Sequence, residues 1–76
     1  MIPQARVFRI RYSGCSDGRD SRISVFDCST KAIHYIAHCG ETISMPLVLR
    51  FLEDMGLVAV SQFEYKFDTF IITQPN

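Results

Sequence analysis

From position 5 to position 12 the chain alternates without a break, placing Phe8, Ile10 and Tyr12 on one side and Val7, Arg9 and Arg11 on the other. A period of two means a strand with one face buried and one face wet, so the fold must supply a sheet and a layer to cover it. The alternation returns far along the chain, from Phe63 through Glu64, Tyr65, Lys66 and Phe67 to Asp68. Strand signals therefore stand at both ends.

The segment between the strands sets the rest of the expected architecture. Residues 13–21 are polar and contain Gly14 and Gly18, which predicts a loop with a turn at Asp17-Gly18. Residues 22–28 resume a strand pattern, with Ile23 and Val25 toward the core and Ser24 outward, closing a long-tipped hairpin with the first strand. Ser29 or Thr30 reads as the N-cap of a first helix with Ile33, Ile36 and Ala37 on one face and Gly40 at its end. Thr42 and Ser44 offer caps for a second helix, with Pro46 in its first turn, an apolar stripe of Val48, Phe51, Leu52 and Met55, and Gly56 as its stop. Residues 57–73 favour strand, with the hairpin turn expected near Ser61-Gln62 or else at Asp68-Thr69. The expected fold class is α+β, an antiparallel sheet of about four strands with two helices in the order β-β-α-α-β-β. At 76 residues this is one domain, residues 1–76.

Charge and cysteine usage narrow the function classes. The net charge is zero, yet residues 1–22 carry five arginines against Asp17 and Asp20, and the remainder is acidic to the same extent. Such a dipolar surface steers an acidic partner but lacks the overall basic field of a dedicated nucleic-acid binder. Three cysteines, Cys15, Cys28 and Cys39, are an odd number without paired spacings, which fits a reducing compartment. With no apolar leader region and no run of apolar residues long enough to span a bilayer, the expected location is the cytoplasm and no membrane contact is expected.

Catalytic and metal chemistry find little footing. His34 and His38 stand four apart, as on the ligand helix of a zinc finger, but Cys15 and Cys28 are too far apart to form the matching knuckle. On a helix both histidines would sit on the flank of the apolar stripe, so we expect no metal. Cys28 precedes the expected first helix, where the dipole favours a thiolate, but nothing nearby supplies an orienting group or an oxyanion site, and core packing is the better reading. Glu53 and Asp54 with Arg50 form a solvated helix surface. No cofactor motif occurs, and the expectation is a non-enzyme.

Two resemblances add to this reading. Residues 47–73, where the run L-R-F-L-E-D-M-G-L-V precedes a strand pair, resemble the recognition helix and wing of a winged-helix protein, which implies a DNA- or RNA-binding regulator. The upstream hairpin and the acidic helix surface depart from that family's pattern. In length, in the lack of enzyme signatures and in its stand-alone mixed make-up, the chain resembles small phage-encoded inhibitors of the anti-CRISPR type. That resemblance implies occlusion of a host nucleic-acid-handling complex and carries over no residue roles.

The function expected from these features is a small protein-binding module with an acidic partner, nucleic acid being the alternative. Its expected contact residues are Arg6, Arg9, Arg11 and Arg22 on the basic hairpin, Asp17 and Arg19 in its loop, and Leu49 and Arg50 off the core stripe of the second helix.

Overall fold

The computed structural model describes residues 5–14, 21–37 and 43–76. These residues form five strands and one helix: β1 (Arg6–Ser13), β2 (Arg22–Asp27), β3 (Ile33–Ala37), α1 (Met45–Asp54), β4 (Leu57–Tyr65) and β5 (Asp68–Pro75). All neighbouring strands are antiparallel, in the spatial order β3-β2-β1-β5-β4. The expected order β-β-α-α-β-β is thus corrected to β-β-β-α-β-β, and four strands with two helices to five with one.

The correction comes from residues 28–32. Asp27 Oδ1 accepts the backbone N–H groups of Ser29 at 2.8 Å and Thr30 at 3.3 Å. Lys31 takes a left-handed φ of 67°, and its N–H donates to the Asp27 carbonyl while Asp27 N–H donates to Ala32. With Ala32 N–H donating to Thr30 Oγ1 at 3.3 Å, these bonds close a tight turn in place of a first helical turn. The chain then returns as β3, pairing Val25 with His34 and Ile23 with Ile36. Its alternating β-branched and aromatic residues suit a strand.

The second expected helix is present as α1. Ser44 occupies the N-cap position with extended backbone, Pro46 lies in the first turn, and Gly56 leaves the helix at φ 80°. Val48 and Leu52 are fully buried against Phe8, Ile10, Ile23, Val25, Leu57 and Ile71. Each such side chain stabilises the fold by about 1.5–3 kcal/mol on leaving water. Phe51, expected in the stripe, is only partly buried and lies against His34 with ring centroids 5.3 Å apart.

The β4–β5 turn falls at Lys66-Phe67, not at Ser61-Gln62 or Asp68-Thr69. Lys66 takes the positive φ, 58°, that a tight hairpin demands and that glycine or asparagine ordinarily supplies. Between Ala59 and Ser61 the register shifts, leaving Val60 as an extra residue on the edge strand. β5 lies inside the sheet between β1 and β4, with Ile71 buried and Phe70 and Ile72 partly exposed on the side away from α1. The α1-then-hairpin order that resembles a winged helix is therefore part of one sheet, because β5 pairs with β1 along five residues.

Candidate binding face

The alternation of β1 puts Arg9, Arg11 and Ser13 on the face away from α1, and the strand register assembles their neighbours. Arg9 lies between Phe70 on β5 and Phe26 on β2, and Phe26 in turn meets Ile33 on β3. One step along, Arg11 faces Ser24, which faces Tyr35. The third row runs from Ser13 through Arg22 to Ala37. At the far side Phe63 stacks on Phe70, centroids 5.2 Å apart and rings nearly parallel. No described element packs on this face, and Ile33, Tyr35, Phe63 and Tyr65 are each about half exposed or more, at 51%, 58%, 48% and 60%.

The arginines are held by rings and by one carboxylate. The guanidinium of Arg9 lies 4.7 Å from the Phe26 ring centre and that of Arg22 5.4 Å from Tyr35. Cation–π contacts of this kind contribute about 0.5–1 kcal/mol at exposed sites. Arg11 instead makes two parallel bonds to Asp68, Nε to Oδ1 at 2.8 Å and a terminal nitrogen to Oδ2 at 2.9 Å. The hydrogen bond from Arg11, together with the charges of Arg11 and Arg9, holds the Asp68 carboxyl below its ordinary range despite some desolvation. Among the described residues no carboxylate pairs with Arg9 or Arg22. A shallow depression of about 220 Å³ opens at the centre, lined by Arg9, Arg11, Ser13, Ser24, Phe26, Ile33 and Tyr35.

Of the expected contact residues, the structure brings Arg9, Arg11 and Arg22 together here. Arg6 lies on the opposite face, where its guanidinium bonds Asp27 Oδ2. Leu49 is half-buried and Arg50 exposed on α1, across the sheet from the arginine rows, and Asp17 and Arg19 lie outside the described residues. Phe26, Ile33, Tyr35, Phe63 and Phe70 were not foreseen as contact residues. The alternation of Phe63 was visible, but the grouping of Phe26 with Tyr35 depends on β3 being a strand.

The sites weighed for chemistry resolve differently. Cys28 is half-buried in the turn after β2, with no helix start beside it, so the dipole expected to favour its thiolate is absent. His34 sits on β3, so the helical pair with His38 does not form; His38, Cys15 and Cys39 lie outside the described residues. Among the described residues no three His, Cys, Asp or Glu side chains group closely enough to hold a metal, and no helix is long and apolar enough to cross a membrane. Compared with known proteins, the chain matches no family model, no curated protein and no solved structure.

Proposed function

We propose that this chain is a non-enzymatic protein-binding module that presents the open face of its sheet to an acidic surface of its partner. The observation that carries the reading is the pairing of Arg9 with Phe26 and Arg22 with Tyr35 on a face no described element covers. Arginine and aromatic side chains dominate the energetics of protein interfaces, because they combine large contact area with directional donors. Val7, Ile33 and Ile72 interleave with the aromatic rings of the face, a mixed apolar surface that suits a protein partner. The charge argues the same way: with Arg11 held by Asp68, the two arginines that no described carboxylate pairs make a local contact charge but a weak field for a phosphate backbone.

In this reading the module acts in the cytoplasm as an inhibitor, lying over a working surface of a nucleic-acid-handling complex in the manner of the anti-CRISPR type. The support is one broad sheet face that no described element covers.

Affinity capture from the native host, with nuclease treatment and mass spectrometry, tests it when three baits are compared. The reading expects a nuclease-resistant protein that wild type and Glu53→Gln on α1 retain and that Arg9→Glu/Arg22→Glu loses. Retention by the double variant, or loss on nuclease treatment, overturns it.

A further inference from the structure

The depression on the open face has a floor and walls of different chemistry. Ser24 forms the floor because it is the small residue among large ones: Phe26 and Arg22 stand two positions to either side on β2, with Arg11 and Tyr35 across on β1 and β3. Phe26, Ile33 and Tyr35 give apolar walls, while Arg9, Arg11, Ser13, Ser24 and Tyr35 bring donors to the same hollow.

Size decides what fits. About 220 Å³ is less than the roughly 300–1,000 Å³ of pockets that enclose whole cofactors or drug-sized ligands, and it suits one side chain. Charge decides which. The Arg9 guanidinium lies over the Phe26 ring, which offers its N–H groups no oxygen acceptor, and no described carboxylate supplies one. Arg11 uses two bonds on Asp68 and keeps further N–H donors.

We propose that this depression is the anchor subsite for a glutamate or aspartate side chain of an extended acidic segment in the partner. The carboxylate accepts from the N–H groups of Arg9 and the hydroxyls around Ser24, and the stem lies between Phe26 and Tyr35. Flanking side chains of the segment rest on Ile33 to one side and on the stacked Phe63 and Phe70 to the other. The inference rests on the open face being the contact surface and adds the chemistry of its central contact.

Nuclear magnetic resonance titration of the full chain tests it. The probe is a short synthetic peptide alternating glutamate and tyrosine, compared with its glutamine counterpart and with an oligothymidylate. The acidic peptide is expected to shift the Arg9 Nε–H, Ser24 and Tyr35 signals, and the glutamine peptide to bind at least about tenfold more weakly. Ser24→Leu, which fills the floor, and Arg9→Gln, which removes the charge, should each weaken the acidic peptide about tenfold, with unshifted core amides reporting an intact fold. The subsite is overturned if the acidic peptide leaves these signals unmoved, if Ser24→Leu binds as wild type does, or if the oligothymidylate perturbs the same residues more strongly. Its failure is separable from that of the wider reading. A captured partner lost by Arg9→Glu/Arg22→Glu but kept by Ser24→Leu removes the subsite and keeps the face.

Discussion

Asp27 and Arg6 form an ion pair in which the carboxylate is almost wholly buried and the guanidinium is about one-third exposed, with side-chain exposures of 1% and 30%. Burial pushes the Asp27 carboxyl up, but the Arg6 hydrogen bond, the Ser29 and Thr30 amides and the Arg6 charge outweigh it and leave it below the ordinary value of 3.8. Because the folded group is the stronger acid, its contribution is present above the unfolded value and is lost as pH falls through the lower folded one. Thermal melts should therefore show a midpoint that drops with acidification below about pH 4, and Asp27→Asn should flatten that drop. At neutral pH the same substitution should cost about 1–3 kcal/mol, since it weakens the Arg6 pair and the turn into β3 together. A pH profile identical in the two proteins refutes the assignment.

Charge reversal should separate the three arginines of the open face. Arg9→Glu faces no described carboxylate at bonding distance and reaches Asp68 only through its longer-range charge, so it should lower the melting temperature less than Arg11→Glu does. Arg11→Glu places a like charge against Asp68 and should lower it visibly. Arg9 and Arg22 are thus the cleaner binding probes, and equal melts for Arg9→Glu and Arg11→Glu in low salt argue against the Arg11–Asp68 pair.

Truncations in α1 should rank by burial. Leu52→Ala removes a fully buried side chain and should cost about 2–5 kcal/mol in a denaturant titration. Phe51→Ala should cost less than Leu52→Ala, because Phe51 is only partly buried at the His34 side of the helix. The reverse order would mean that the helix phase is misplaced.

Backbone conformation gives a prediction of the opposite sign. Lys66→Gly removes a side chain from a φ of 58° and should stabilise by up to about 1 kcal/mol. Gly56→Ala meets nothing within 4 Å yet must hold a φ of 80°, and should destabilise by about 1 kcal/mol from backbone strain alone. Calorimetry of both variants checks the pair, and a stabilised Gly56→Ala would contradict it.

The sequence made some of this legible for local reasons. The faces of β1 and β2 followed from alternation, and α1 from Ser44, Pro46 and Gly56 bracketing an apolar stripe. β3 did not follow, because acceptors beside free amides mark a helix start and a tight turn alike: Asp27 takes the Ser29 and Thr30 amides and Thr30 Oγ1 takes that of Ala32, yet the chain turns back instead of winding on. The Lys66-Phe67 turn carried no glycine or asparagine to announce its left-handed residue. For the binding face, Arg9 and Arg11 were readable as outward residues, whereas Phe26 and Tyr35 become their neighbours only through pairings between segments.

The pairing of β1 with β5 sets Phe8 beside Ile71 and lets Thr73 Oγ1 donate to the Arg6 carbonyl at 3.0 Å. Without β5 the inner edge of β1 has no strand to bond, and Phe8 and Ile10 lack one of their walls. Closing the sheet thus waits on a pairing between segments about sixty residues apart, Phe8 with Ile71, a non-local contact of the kind that slows folding.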